Sequence, residues 1–262
     1  MDFRSMIGLG IAGNFTGHLE QAKEASSFVN VKVEEHHAPK GLFPFYVPSK
    51  TDSFIEVYPL SSTEVSRPEE GGNLQIEPEV AIVCFIDYED GRVVRITPIK
   101  FGAFNDCSIR KEGAKKISEK KNWGANSKGI SEQLIDVDNF QEGGVMDFYR
   151  IACYLLRDGY LHAYGVDSAV RGYSYFYKKL LDWIVEKANT QEDGGPLESI
   201  QTLLKQSNYP KQAIISIGAT LYTEFGEKAF LKANDELFVV VYHSEMYNLS
   251  KIENFIKIKE GN

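Results

Sequence analysis

The sequence predicts a β-rich α+β fold, and three observations support this class. Residues 79–88 (EVAIVCFIDY) form a continuous apolar run that is typical of a strand covered on both faces. Turn signals at residues 89–91 and 158–159 lie between strand-like segments, as they do in hairpins. Strand patterns outnumber helical patterns and do not alternate with them, which disfavours a doubly wound parallel sheet.

Length and composition agree with one large globular domain or two small ones. The chain has 262 residues, 43% hydrophobic and 25% charged, which excludes a disordered or collagen-like protein. Its net charge of −8 does not fit a nucleic-acid-binding surface. No apolar run approaches the roughly 18 residues that a membrane helix needs. Three cysteines without CxxC spacing argue against a disulfide framework or a zinc site, so we expect a cytoplasmic protein without nucleic-acid or membrane partners.

The N-terminal half contains one predicted helix and one predicted hairpin. Thr16 can cap a helix over residues 17–28, where helix-forming residues predominate. Residues 92–99 are expected to return beside the strand of residues 79–88. The polar, lysine-rich residues 110–128 predict a loop or a short helix.

The C-terminal half mixes both types of element. Residues 147–156 fit either a strand or a helix, and this alternative stays open. Residues 173–188 have apolar side chains at helical spacing and predict a helix. A second helix is expected at residues 197–206, and strands are expected at residues 214–217 and 237–242.

A glycine pattern near the N-terminus invites a dinucleotide-binding interpretation. Residues 8–13 (GLGIAG) match GxGxxG, a motif that must follow a buried strand and open a helix. Only the short, polar residues 1–6 precede Ile7, and no series of β–α units follows. We therefore reject a nucleotide site and expect these glycines to form a turn.

Glu77 and Glu79 form the most informative short pattern. Alternate residues of an extended chain point to the same face, so the two carboxylates should project together where the strand begins. Adjacent carboxylates disfavour each other's ionisation, and a divalent cation removes that penalty. Oxygen ligands favour Mg²⁺, Mn²⁺ or Ca²⁺ over zinc. Pro78 lacks an amide hydrogen, which predicts a strand end or edge here, and a solvated acidic turn is the alternative.

A third carboxylate strengthens the metal-site interpretation. Asp106 follows the second strand of the predicted hairpin, which could bring it close to Glu77 and Glu79. The chain then becomes rich in cations: Arg110, Lys111, Lys115, Lys116, Lys120, Lys121 and Lys128. These residues form either a solvated face or a local attraction for an anionic substrate on an otherwise acidic protein.

Taken in order, these segments resemble the fumarylacetoacetate hydrolase superfamily. The matching segments are residues 13–18 (GNFTGH), 76–84 (IEPEVAIVC), 104–110 (FNDCSIR), 127–129 (SKG), 158–159 (DG), 217–220 (IGAT) and 230–235 (FLKAND). The resemblance implies a mixed β-sandwich roll, a single catalytic domain over residues 1–262 and a homodimer. Residues 1–60 would pack against the site or cap it.

The resemblance also implies a metal-dependent activity. Glu77, Glu79 and Asp106 would hold Mg²⁺ or Mn²⁺, with Ca²⁺ as a replacement in crystals. The small anionic substrate would be a 2-oxo acid or an acylpyruvate, a 1,3-dicarbonyl compound. Members of the superfamily hydrolyse C–C bonds in such compounds, decarboxylate oxaloacetate, or isomerise and hydrate related dienoates. These reactions pass through an enolate or a hydrated ketone, whose charge a bound cation stabilises.

Five further residues receive roles from the resemblance. His18 would act as a general base on water, and Lys128 would stabilise an oxyanion. Arg110 would hold its loop or pair with a substrate carboxylate. Gly218 and Thr220 would contact the substrate.

One position departs from the family pattern and leaves the reaction open. Family hydrolases commonly pair the histidine with a glutamate three residues later, but position 21 is Gln here. Decarboxylation needs no activated water and is the easier remaining chemistry. We therefore expect a metal-dependent hydrolase or lyase. The alternative is a catalytically degenerate relative that binds a small organic acid or a partner protein.

Overall fold

Strands dominate the fold. The computed structural model describes residues 1–29, 31, 33, 35, 37–50 and 52–258. Within this part of the chain the strands are β1 (Ile7–Ala12), β2 (Gly41–Tyr46), β3 (Leu60–Ser61), β4 (Asn73–Gln75), β5 (Pro78–Glu89), β6 (Arg92–Asn105), β7 (Ser108–Arg110), β8 (Lys128–Ile130), β9 (Ile135–Asp136), β10 (Tyr149–Arg157), β11 (Tyr160–Ala169), β12 (Gln212–Ala219) and β13 (Glu236–His243). The helices there are α1 (His18–Gln21), α2 (Tyr177–Thr190), α3 (Ile200–Gln206), α4 (Glu224–Lys228) and α5 (Leu249–Ile258).

The strands form a mixed main sheet and two smaller sheets. Among the described residues, the main sheet has eight strands in the order β2-β1-β12-β5-β6-β8-β3, and β9 pairs with β6 beside this path. The β1–β12 and β3–β8 pairs are parallel, whereas β5 is antiparallel to both β12 and β6. The smaller sheets are β11-β10-β13 and β4-β7. This arrangement confirms the predicted β-rich α+β class.

Strand β5 lies inside the main sheet, and its first half is covered on both sides. Residues 78–84 are all buried, as the continuous apolar run predicted. Ile82 belongs to the large cluster that includes Leu180 and Trp183 of α2. Val83 belongs to a second cluster with Phe45. The start of β5 is therefore held rigidly from both faces, and so is any side chain projecting from it.

The β5–β6 hairpin is longer than the sequence pattern predicts. Its turn lies at Asp90 and Gly91, which both have positive φ, and its second strand continues to Asn105. Pro78 pairs with Asn105 at the far end, as expected for a proline at a strand terminus. One residue on, the amide of Asp106 donates to the carbonyl of Glu77 at 3.0 Å.

The glycines near the N-terminus do not form the expected turn. Gly8 and Gly10 lie inside the buried strand β1. A Cβ atom at Gly8 would lie 2.2 Å from the ring of Phe45, and one at Gly10 would lie 2.2 Å from the ring of Phe43. Glycine is needed there because aromatic side chains of β2 lie directly over the backbone. Gly13, with φ of +74°, follows the end of the strand.

Two helix predictions also need correction. The predicted helix over residues 17–28 is instead the short α1 and a 3₁₀ turn at Ala25–Phe28, because Lys23 has a positive φ that interrupts the helix. The N-cap of α1 is Gly17 and not Thr16. Helix α2 begins at Tyr177 and not at residue 173, since the backbone of residues 174 and 175 is bonded to Asn14.

No helix in the described residues is both long enough and apolar enough to cross a membrane.

Candidate metal centre and active site

Three buried carboxylates converge at the open end of the β5–β6 hairpin. Glu77, Glu79 and Asp106 are 5%, 2% and 0% exposed, and each offers an oxygen within 4.8 Å of the other two. Glu77 and Glu79 flank Pro78 at the start of β5, and the backbone bond between Asp106 and Glu77 brings in the third side chain. The structure thus assembles the group of carboxylates that the sequence spacing predicts.

Three cations surround this carboxylate cluster. The Nζ atom of Lys121 lies 2.6 Å from Glu77 Oε2 and 2.6 Å from Asp106 Oδ2. Arg110 Nη2 lies 2.6 Å from Glu77 Oε1, and Lys128 Nζ lies 3.3 Å from Asp106 Oδ1. Burial alone would raise the pKa of Glu77, but Lys121 and Arg110 outweigh it and hold that pKa below its ordinary value.

Glu79 has a different electrostatic environment. Its Oε2 accepts the amide hydrogen of Gly218 at 2.9 Å. Burial and the neighbouring Asp106 raise the pKa of Glu79 well above its ordinary value. Gly218 has φ of +115°, and a Cβ atom there would lie 3.0 Å from the Cβ of Asn14. Gly218, a predicted substrate contact, therefore positions a carboxylate through its backbone.

Arg110 is held by four side chains at once. Its Nε donates to Gln75 Oε1 at 2.7 Å, and its Nη1 lies 3.1 Å from Glu24 Oε1. Its Nη2 donates to the hydroxyl of Tyr222 at 2.9 Å and also pairs with Glu77. Of the two roles that the resemblance implies, this geometry favours holding the site together over pairing with a substrate carboxylate.

His18 is buried and has a defined tautomer. Its Nδ1 lies 2.9 Å from the carbonyl oxygen of Thr220, which can only accept a hydrogen bond. The proton therefore resides on Nδ1, and Nε2 carries a lone pair. Burial is the main cause that lowers the pKa of His18 to about 4. At neutral pH the ring is uncharged and can accept a proton at Nε2.

Thr220 serves this site mainly through its backbone. Its carbonyl orients His18, and its amide donates to the carbonyl of Pro78 at 3.0 Å. The predicted contact between its side chain and a substrate stays a prediction. The described contacts instead connect β5 to the residues that follow β12.

Gln21 does not take over the role of a glutamate beside His18. Its Nε2 donates to the carbonyl of Tyr222 at 3.2 Å, and its Oε1 accepts the amide of Tyr222 at 2.9 Å. The side chain thus ties α1 to the segment after β12. The base partner of His18 is a neutral carbonyl, which orients the ring without adding negative charge.

Glu77, Glu79 and His18 line one cavity. The cavity has a volume of about 40 Å³, and its lining includes His18, Glu77, Glu79, Arg110 and Lys121. A single water needs roughly 10–15 Å³ on this measure, so the space suits an ion or a few waters. Lys128 is fully buried behind Asp106, and its ammonium also donates to the carbonyl of Cys107. Burial lowers the pKa of Lys128.

Lys121 is not among the site residues that the sequence predicts, although it pairs with two of the three carboxylates. The lysine element of the resembling family reads K-(S/G)-(F/W), with an aromatic residue two positions after the lysine. Lys121 has Trp123 at that position, whereas Lys128 has Ile130, and this difference could have pointed to Lys121. Asn122 donates to the carbonyls of Phe45 and Val57, which fixes the backbone next to Lys121.

The comparisons with solved structures agree with this geometry at the level of the fold. A fumarylacetoacetate hydrolase family protein from Yersinia pestis CO92 matches 92% of this chain and 91% of its own, with a TM-score of 0.54 and 13% identity. A 5-carboxymethyl-2-hydroxymuconate delta-isomerase from Mycobacterium smegmatis matches 90% of this chain and 74% of its own, with a TM-score of 0.52 and 12% identity.

A third solved structure was determined with a metal and an organic ligand. It is a 2-keto-3-deoxy-D-arabinonate dehydratase complexed with magnesium and 2,5-dioxopentanoate. It matches 90% of this chain and 68% of its own, with a TM-score of 0.51 and 12% identity. The resemblance that the sequence motifs indicate is therefore confirmed in the fold, which is of the fumarylacetoacetate hydrolase type.

No curated protein matches this chain. A family profile does match it, over residues 24–262, and that family is described as one of unknown function, DUF5718. Since the match covers most of the sequence, the chain belongs to the DUF5718 family.

Proposed function

We propose that the protein is a divalent-metal-dependent enzyme that cleaves a C–C bond in a 2-oxo acid or an acylpyruvate. The observation that carries this proposal is the buried carboxylate cluster of Glu77, Glu79 and Asp106, whose oxygens lie within 4.8 Å of one another beside a cavity. Three hard oxygen donors in this arrangement fit Mg²⁺ or Mn²⁺. When bound, the ion would supply a Lewis acid for the negative charge of an enolate.

The chain's own residues supply the remaining parts. His18 lines the cavity, and because its Nδ1 is bonded to Thr220, its Nε2 is left to take a proton from a water molecule. Lys121 provides a positive charge that can stabilise an oxyanion. Arg110 holds Glu77 in place, and the Gly218 amide does the same for Glu79. The small cavity limits the access of bulk water.

Hydrolysis and decarboxylation place different demands on His18. Hydrolysis of an acylpyruvate requires a base that activates water, whereas loss of CO₂ from oxaloacetate requires none. The carbonyl partner of His18 makes it a weaker base than a carboxylate partner would. We therefore favour decarboxylation, with hydrolysis as the second activity to be tested.

The test is an activity screen with matched variants. The purified full-length protein is assayed against oxaloacetate and acylpyruvates at saturating Mn²⁺, together with Glu79→Gln and His18→Gln. We expect Glu79→Gln to abolish turnover and His18→Gln to spare decarboxylation while it removes hydrolysis. A wild-type protein without turnover of either compound would refute the proposed activity.

A second candidate function rests on the ion pairs of the cluster. Lys121 and Arg110 take both oxygens of Glu77, so the chain neutralises this carboxylate without a metal. This pairing favours a degenerate relative that binds a small organic acid or a partner protein. Calorimetric titration with Mn²⁺ in the presence of oxalate distinguishes the metal-dependent enzyme from the degenerate relative, because a relative whose carboxylates are neutralised by its own cations would bind no metal.

The assembly and location of the protein are also proposals. We propose a cytoplasmic homodimer with one catalytic domain, in which residues 1–60 close the site. In support, α1 contributes His18 to the cavity wall, and Phe43 of β2 lines the same cavity. Light scattering of the purified protein measures the oligomeric state.

A further inference from the structure

The ammonium group of Lys121 lies among the same carboxylates that would bind a metal. It contacts Glu77 Oε2 and Asp106 Oδ2 at 2.6 Å each, and it donates to Ser108 Oγ at 2.7 Å. Two carboxylates and one hydroxyl therefore surround this ammonium. The side chain is only 8% exposed, so little water is available to replace a lost contact.

The other oxygens of these carboxylates also have cationic partners. Glu77 Oε1 lies 2.6 Å from Arg110 Nη2, and Asp106 Oδ1 lies 3.3 Å from Lys128 Nζ. A metal that binds one oxygen of each carboxylate would therefore use, in Glu77 and in Asp106, an oxygen that is already paired with a lysine or an arginine. A divalent cation bound to such a shared oxygen would be a near neighbour of the Lys121 ammonium. Like charges that close repel each other strongly in a buried site.

We propose that Lys121 is the internal counter-ion of the carboxylate cluster and that a divalent cation binds by displacing it. The displaced ammonium turns toward the Phe43 side of the adjacent cavity. This inference rests on the proposed function, because it concerns how the same site takes up its metal.

The surroundings of Lys121 favour a movement of the side chain rather than of the backbone. The Ile117 amide donates to the carbonyl of Pro196 at 3.0 Å, and the hydroxyl of Ser118 bonds to Glu198. These contacts hold the segment before Lys121. The ammonium also lies 5.2 Å from the centre of the Phe43 ring, an aromatic face that can receive a displaced cation on the cavity side.

The formal charges predict a dependence on the organic ligand. With all three carboxylates ionised, as metal ligation requires, Glu77, Glu79 and Asp106 carry three formal negative charges, and Arg110, Lys121 and Lys128 carry three formal positive ones. A divalent cation alone leaves this set with two excess positive charges. A dianion such as oxalate offsets them, so metal and dianion should bind with positive coupling.

Mn²⁺ titrations of three full-length proteins test the proposal: the wild type, Lys121→Met and Lys115→Met. Lys115 is an exposed lysine of the same segment, so its replacement removes an equal charge away from the cluster. Without oxalate, we expect Lys121→Met to bind Mn²⁺ about tenfold more tightly than the wild type. Lys115→Met should match the wild type.

Mn²⁺ binding by Lys121→Met that is no tighter than by the wild type would overturn the inference while the proposed function stands. Absence of Mn²⁺ binding in every protein, even with oxalate, would overturn both. If Lys121→Met does not fold, lysine ¹⁵Nζ NMR of the wild type decides. The Lys121 signal, assigned with Lys121→Gln, should move when Mg²⁺ and oxalate are added, and an unmoved signal would contradict displacement.

Discussion

Loss of the Arg110 guanidinium should destabilise the fold strongly. In Arg110→Met, Glu77 loses its 2.6 Å partner and Glu24 loses one at 3.1 Å, while Gln75 and Tyr222 lose hydrogen-bond donors. The side chain of Arg110 is 12% exposed and that of Glu77 is 6% exposed, so little water is available to replace the guanidinium. Removing one partner of a buried ion pair costs about 3–5 kcal/mol, and we expect the free energy of unfolding to fall by that amount.

The assay is urea unfolding at pH 7, with Arg95→Met as the matched control. Arg95 pairs with Asp87 at 2.6 Å, but the two side chains are 72% and 45% exposed. An exposed pair contributes about 1 kcal/mol or less. If Arg110→Met is destabilised by less than about 1 kcal/mol, or no more than Arg95→Met, the buried ion pair does not hold the site together and our reasoning is wrong.

The pH dependence provides a second check on Arg110. Lys121 and Arg110 lower the pKa of Glu77 in the folded protein despite the burial of its carboxylate. The stability that these two cations add to the folded state is therefore fully present at pH values above 4.5, the ordinary pKa of a glutamate. That stabilisation is lost as the pH falls through the lowered folded-state pKa. The gap between the wild type and Arg110→Met should therefore shrink below about pH 4.5, because protonated Glu77 no longer needs the guanidinium.

Three further predictions concern the pH dependence of stability and the glycines of β1. Burial lowers the pKa of His18 from 6.5 to about 4, so the unfolded state takes up a proton first as the pH falls. The free energy of unfolding should drop by about 3 kcal/mol as the pH falls from 6.5 to about 4. The urea midpoint of His18→Gln should not show this drop. Burial raises the pKa of Glu198 from 4.5 to about 7, so stability should fall by up to about 3 kcal/mol as the pH rises between these values. Glu198→Gln should abolish that loss of stability. A variant whose stability depends on pH in the same way as that of the wild type would contradict this prediction. Gly10→Ala should cost about 1–3 kcal/mol in urea unfolding, because its Cβ would lie 2.2 Å from Phe43, whereas Gly194→Ala, with nothing within 4 Å, should be nearly neutral.

The carboxylate cluster could be predicted because it depends on short-range regularities. The two-residue period of an extended chain puts Glu77 and Glu79 on one face. A hairpin signal at residues 89–91 brings the chain back beside β5, and this return places Asp106 next to Glu77. Each step involves neighbours in sequence or the two strands of one hairpin, so local pattern is sufficient.

Other features could not be predicted because they depend on distant packing. The predicted turn at Gly8 and Gly10 is wrong, since the rings of Phe43 and Phe45 on another strand determine why those residues are glycines. The predicted helix at residues 17–28 is wrong in the same way. Within that segment the side chain of Gln21 is hydrogen-bonded to the backbone of Tyr222, and the side chain of Glu24 pairs with Arg110 and Lys120. These contacts are with residues far away in the sequence.

By itself, the sequence determined the strand-rich class, the hairpin and the three acidic side chains, because hydrophobic periodicity and turn chemistry act between near neighbours. Only the tertiary structure decided which cations neutralise those acids and how His18 is oriented. Lys121 reaches Glu77 across 44 positions and His18 reaches Thr220 across 202, and such contacts arise only when the sheet packs the separate segments together. The lysines of residues 110–128 look alike along the chain, but burial beside carboxylates distinguishes Lys121 and Lys128 from the rest.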